Sequence, residues 1–162
     1  MQLYILRHAD ALDMDGETIT CDEERPLSEK GREQVKLLAK TLSQRDIRLD
    51  LVLTSPLKRC RESAELLMEQ LGRTTAEVND LDLLAPGGST KKLMKYLRTL
   101  EIENVLLVGH NPEVGDHIAY LIGDKDARIK MSKGALACVD CKSSPRKAEG
   151  ELVLLVSPEW LG

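Results

Sequence analysis

The chain has 162 residues, 42% of them hydrophobic and 31% charged, which suits one hydrophobic core over residues 1–162 and leaves no room for a second, substrate-capping domain. Its formal net charge is −4, so the basic footprint that nucleic-acid backbones demand is missing. With no Phe, three Tyr and one Trp, stacking platforms and aromatic cages are excluded as well, and Ile, Leu and Val must build the interior.

From the amino end, Met1 to Leu6 is a short apolar run that meets Arg7-His8 without the basic start and longer apolar stretch of a signal peptide. No apolar run nears the ~20 residues of a membrane span. A cytoplasmic protein is expected, with Cys21, Cys60, Cys138 and Cys141 reduced and no disulfides. Leu3 to Leu6 reads as a buried strand, and Asp10 to Arg25 as a long polar loop ending at Pro26. From Ser28, the spacing of Val35, Leu38, Ala39 and Leu42 predicts a helix with one apolar stripe, ending near Arg45. Asp50 to Thr54 is the next strand. Ser55-Pro56 supplies an N-cap and a proline at the first helical position, and Leu57, Cys60, Ala64, Leu67 and Leu71 keep helical spacing to Gly72.

Thr75 to Asn79 reads as a short strand, and Pro86-Gly87-Gly88-Ser89 as a turn and cap before a helix lined by Leu93, Tyr96, Leu97 and Leu100. Asn104 to Gly109 is a strand ending at His110. Asn111-Pro112 repeats the cap-plus-proline start, and the helix carrying Val114, His117, Ile118 and Leu121 stops at Gly123. Gly134 to Cys141 and Glu151 to Ser157 read as a hairpin joined by the polar loop Lys142 to Gly150. The alternation predicts a three-layer α/β/α architecture, with a mainly parallel sheet made mixed by the edge hairpin.

In such sheets ligands bind beyond the carboxyl ends of the strands, where loops and helix N-termini converge. Arg7-His8, Ser55 to Arg59 and His110-Asn111 occupy those ends, which places two of the three histidines and two arginines on one rim. Guanidinium groups hold phosphate oxygens with paired N–H bonds, and a protonated imidazole adds another donor. Phosphoryl transfer needs mainly positioning and charge neutralisation, so this set can serve without a metal or other cofactor. His8 is the candidate nucleophile. Other chemistries lack their motifs: there is no Walker loop, no GxGxxG and no Cys-x5-Arg. Cys138 and Cys141, three apart on a strand, point to opposite faces and cannot share a zinc ion.

The motifs Leu6-Arg7-His8-Ala9-Asp10, Arg25-Pro26-Leu27-Ser28 with Gly31, Thr54-Ser55-Pro56-Leu57-Lys58-Arg59, Val108-Gly109-His110-Asn111-Pro112 and Lys133-Gly134-Ala135-Leu136 span nearly the whole chain. In order and spacing they resemble the histidine phosphatase superfamily, in particular its SixA-type phosphohistidine phosphatases, with Ala9 where glycine is commoner. The resemblance implies a phosphoglycerate mutase-like fold, His8 as the phosphorylated nucleophile, and Arg7, Arg59 and His110 around the phosphoryl group. Arg25 is a further phosphate contact on this basis, although its run Asp22-Glu23-Glu24-Arg25 equally allows local pairing. Larger branches of the family use a carboxylate as proton donor. Asp82 is nearest to that region, and a turn cap or a solvated residue is its plainer role.

A missing acid would suit a phosphoramidate, whose imidazole leaves more readily than an alkoxide. The expected substrate is therefore phosphohistidine on a protein, such as a histidine-containing phosphotransfer domain acting in signal transduction. The alternatives are a small-molecule phosphate ester handled by the same mechanism, and a phosphate-binding module without turnover. No nucleic acid or membrane partner is expected, and the oligomeric state is open. Arg59 could also belong to a solvated basic face with Lys58 and Arg61, and His117 to its helix's apolar stripe. Cys60, beside Arg59, offers oxidative inhibition unless helix packing buries it.

Overall fold

A computed structural model describes residues 1–45, 47–72, 76–123 and 126–161. Strands β1 (Gln2–Arg7), β2 (Leu51–Thr54), β3 (Val78–Asp80), β4 (Asn104–Gly109), β5 (Leu136–Asp140) and β6 (Glu151–Val156) form one mixed sheet in the order β3-β2-β4-β1-β5-β6. The first four are mutually parallel, β5 is antiparallel to β1 and β6 antiparallel to β5, so the expected edge hairpin is present. Of the sequence-predicted third strand, Thr75 lies outside the described residues. The observed β3 runs one residue past Asn79.

Helices α1 (Glu29–Ser43) and α2 (Lys58–Leu71) cover one face, and α3 (Thr90–Leu97) and α4 (Glu113–Ile122) the other. On the first, Val35, Leu38, Cys60 and Leu67 pack against Tyr4, Leu6 and Val108. On the second, Leu93, Met94, Val114 and Ile118 pack against Leu3, Ile5 and Leu107. Each such leucine or isoleucine contributes about 1.5–3 kcal/mol by leaving water. Alternation along β1 therefore serves both layers, Leu3 and Ile5 one way and Tyr4 and Leu6 the other. Cys138 joins the first core and Cys141 the second, on opposite sides of the sheet.

Three helix ends differ from the sequence reading. α2 starts at Lys58 with Leu57 as its cap; the Ser55 hydroxyl accepts the Leu57 N–H at 3.4 Å and also lies 2.9 Å from the His110 ring, and Pro56 sits exposed ahead of the helix. α4 is capped by Pro112 rather than Asn111, whose side-chain amide donates instead to the Met131 carbonyl at 2.9 Å. α3 stops at Leu97, so Leu100 packs on the core from beyond the helix. The Ser28 cap of α1 is as expected, its hydroxyl accepting the Gly31 N–H at 3.0 Å.

β1 and β4 are neighbours, yet the chain leaves β1 toward α1 on one face and leaves β4 toward α4 on the other. Such a divergence opens a crevice at the carboxyl ends of the strands. The register pairs Arg7 with Gly109 and Thr54 with Val108, so His8, Ser55 and His110 emerge side by side.

Candidate active site

His8 continues β1 by one bond, its N–H donating to the Gly109 carbonyl at 3.0 Å. From the antiparallel side, Gly134 holds the same strand end: its N–H lies 3.2 Å from the Arg7 carbonyl and 3.1 Å from that of His8. Gly134 has φ +75°, a conformation that costs an L side chain strain and glycine nothing. The loop beyond is fixed by α1, since a Cβ on Gly31 would lie 2.0 Å from the Asp10 carbonyl oxygen. Asp10 in turn accepts from Lys133 at 2.6 Å and from the Ser28 hydroxyl at 2.6 Å.

The His8 ring is buried, and its Nδ1 lies 2.7 Å from the Ala9 carbonyl, an acceptor only. The ring proton is therefore on Nδ1 and the Nε2 lone pair is free. Burial pushes its pKa down to about 3. Hydrogen bonding to Ala9 opposes that shift, and His110, Arg59 and Arg7 add to it. At neutral pH His8 is an uncharged base among cations.

His110 stands beside it, ring centroids 5.2 Å apart. Its Nε2 meets Ser55 Oγ at 2.9 Å and Cys60 Sγ at 3.4 Å. Burial, then Arg59, pushes it down to about 4. The free site thus holds a neutral imidazole where a protonated one was expected, and His110 donates from one nitrogen only. Cys60 is fully buried, and burial pushes its thiol up to about 12, so it serves as packing and as a neighbour of His110 rather than as a reactive thiolate.

Arg59 is 5% exposed, whereas Lys58 is exposed and Arg61 pairs with Glu65 and Asp80. The basic run is therefore divided, and only Arg59 turns inward. Its terminal nitrogens donate to Asp22, Nη1 to the backbone carbonyl at 2.7 Å and Nη2 to Oδ2 at 2.9 Å. Its Nε edge meets no protein acceptor among the described residues. Arg7 donates from Nη1 to the Met131 carbonyl at 2.9 Å, while its Nε–H is buried and unpartnered and it forms no ion pair among those residues. Burial lowers its pKa from the ordinary value. Two guanidinium groups with free N–H bonds beside two imidazoles make a seat for an oxyanion.

Arg25 spends its donors within the loop, on the Leu12 carbonyl at 2.6 Å, Asp22 at 3.0 Å and Asp13 at 2.9 Å. It reaches the site through Asp22. Burial raises the Asp22 pKa, but hydrogen bonds from Arg25 and Arg59 outweigh that and hold it below the ordinary carboxylate value. Asp82 begins the one-turn helix Asp82–Leu84 and is exposed, with no side-chain partner among the described residues.

Two contributors escaped sequence reading. The Ser63 hydroxyl donates to the Arg59 carbonyl at 2.6 Å and accepts the Ala9 N–H at 3.1 Å, coupling α2 to the turn after His8. Asp22 is the other. Ser63 lies one helical turn beyond Arg59 and so was findable in principle, whereas nothing separates Asp22 from its acidic neighbours in the sequence. Among the described residues no His, Cys, Asp and Glu cluster could hold a metal ion, and no helix is long and apolar enough to cross a membrane.

The sequence model of the histidine phosphatase superfamily (branch 1) matches residues 3–96. The chain belongs to this superfamily. It is 33% identical over 126 residues to the phosphohistidine phosphatase SixA of Escherichia coli (strain K12), an overlap covering 75% of this chain and 74% of that protein. It is likewise 33% identical over 168 residues to an uncharacterized protein of Picosynechococcus sp., with 99% of each covered. The solved structure of protein histidine phosphatase SixA complexed with tungstate matches it with a TM-score of 0.87 and 28% identity, covering 100% of both chains. The histidine phosphatase fold, phosphoglycerate mutase-like, is thereby shown, and membership with the SixA likeness makes the chain a phosphatase.

Proposed function

We propose that this histidine phosphatase hydrolyses phosphohistidine on a protein, with His8 carrying the phosphoryl group between two displacements. The neutral Nε2 of His8 attacks phosphorus in line. The bond to the substrate's imidazole nitrogen breaks, and the imidazole leaves with that electron pair and takes up a proton from solvent water. Water then attacks phosphorus, the phosphorus–Nε2 bond breaks, and inorganic phosphate departs with the water's proton while His8 regains its lone pair. Arg7, Arg59 and His110 hold the equatorial oxygens in both steps, and Arg25 supports them from the rim through Asp22.

The observation that carries this reading is the His8 to Ala9 hydrogen bond of 2.7 Å, which keeps Nε2 bare, together with burial that keeps it unprotonated. The SixA likeness supports the phosphohistidine class, and tungstate, bound in that relative, is a tetrahedral oxyanion like phosphate. Asp82, exposed and without a side-chain partner among the described residues, suits a reaction that needs no dedicated proton donor. The donor we favour is a phosphotransfer domain in cytoplasmic signal transduction, whose protruding phosphohistidine reaches the open rim.

Rapid quench with labelled phosphoramidate tests the mechanism. Acid-labile label should appear on His8, and none on His8→Ala. Phosphate binding without label in the wild type would instead mark a module that does not turn over. Asp82→Asn should leave phosphohistidine hydrolysis intact, and its loss would restore a catalytic acid.

A further inference from the structure

Asp22 occupies an unusual place. Its Oδ2 and backbone carbonyl accept from Arg59 at 2.9 and 2.7 Å, and its Oδ1 accepts from Arg25 at 3.0 Å. Arg59 is buried, its side chain 7% exposed, while that of Asp22 is 47% exposed. One carboxylate thus joins two guanidinium groups on the solvent side of the phosphoryl seat. Arg25 is engaged on its other donors by Leu12 and Asp13.

We infer that Asp22 determines specificity, acting as a built-in carboxylate where a substrate's own carboxylate would need to bind, so that the site rejects phosphorylated carboxylic acids. The inference rests on the reading that Arg59 holds the phosphoryl group attacked by His8. A phosphorylated hydroxy acid carries a second anion a few bonds from phosphorus, and binding both anions requires a cation beside the phosphoryl seat. Arg25 and Arg59 are the cations on that side, and Asp22 already accepts charge-assisted hydrogen bonds from both, while Asp13 supplies the second carboxylate against Arg25. An incoming carboxylate must either displace these bonds or lie against a like charge. An imidazole carrier, neutral or protonated, meets no such repulsion, and the exposed side of Asp22 can accept its N–H.

The test compares kcat/KM for 3-phosphoglycerate with that for para-nitrophenyl phosphate, whose carrier is uncharged, in the wild type, Asp22→Asn and Asp22→Ala. Asparagine keeps the shape and a carbonyl for Arg59 while removing the charge. The ratio should rise at least tenfold in Asp22→Asn. An unchanged ratio, or a proportional loss on both substrates, would reduce Asp22 to a brace for Arg59 and overturn the inference. The wild type offers a check without any variant: stronger inhibition by 3-phosphoglycerate than by inorganic phosphate would also overturn it. Label on His8 reports the phosphatase reading separately, so an unchanged ratio in an enzyme that labels defeats the inference alone.

Discussion

The carboxyl edge of the sheet and the α3–α4 layer both bury histidine, and they use it differently. At the edge, His8 and His110 lie 5.2 Å apart beside Arg7 and Arg59, with the Nε2 of His8 unengaged among the described residues. In the layer, His117 is 1% exposed, its Nδ1 is 2.8 Å from the Thr90 hydroxyl, and the charge that acts on it is the Glu113 carboxylate of its own helix. Burial pushes His117 down to about 4, much like His110. A lowered proton affinity therefore does not distinguish an imidazole set among cations from a packed one. Neighbouring arginines with spare donors do.

The sharpest way to break this contrast is His8→Ala, which should lower kcat on the order of 10³-fold or more while the thermal midpoint moves little. Wild-type turnover in that variant, measured by phosphate release, would remove His8 from the mechanism. Arg59→Ala should cost about 3 kcal/mol of transition-state stabilisation, roughly 10²-fold in kcat/KM. Full activity would return Arg59 to a structural role.

On the layer side the expected signs reverse. His117→Ala should lower stability by about 2 kcal/mol, since it empties a packed position and leaves Thr90 without its partner, and kcat should stay at the wild-type value. Ser63→Ala joins the two regions: it strips the acceptor from the buried Ala9 N–H, at a cost of about 1–3 kcal/mol, and also slows turnover because that turn carries His8. Chemical denaturation alongside phosphate release separates the four variants, and a Ser63→Ala enzyme with native stability would show that the Ala9 contact is dispensable.

Acidification should have the most gradual effect. His8, His110 and His117 are depressed to about 3, 4 and 4 from 6.5, so below pH 6.5 the unfolded chain takes up protons that the folded chain refuses. Their stabilising contribution is complete above pH 6.5 and is lost as pH falls toward 4 and then 3. Asp10 and Asp22, held below the ordinary 3.8, lose theirs at still lower pH. Urea midpoints should therefore decline from pH 7 to 4.5, and equal midpoints would contradict the burial of all three rings. A flatter slope in His117→Ala would apportion the effect between the layer and the edge.

Much of this was readable in advance because it depends on short-range patterning. Period-two and period-3.6 apolar spacing marked the strands and helices, and the strand-end rule with its motif order pointed to Arg7, His8, Arg59 and His110. The helices after Ser55-Pro56 and Asn111-Pro112 start later than the spacing predicts, Ser55 dividing its hydroxyl between the Leu57 N–H and His110, and Asn111 turning to Met131 instead. Capping preference is worth about 1 kcal/mol, and a buried hydrogen bond to an imidazole or a carbonyl competes with it on equal terms.

The sequence by itself determined the layered α/β order and which residue types would meet at the strand ends, because local geometry dictates which side chains share a face. Only the tertiary structure decided how those groups are engaged: that Asp22, among the acids of its loop, bridges Arg25 and Arg59, that Ser63 ties α2 to the turn after β1, and that His110 is neutral. Those outcomes depend on contacts between segments tens of residues apart and on exclusion of water. Neither is encoded in the spacing of neighbours along the chain.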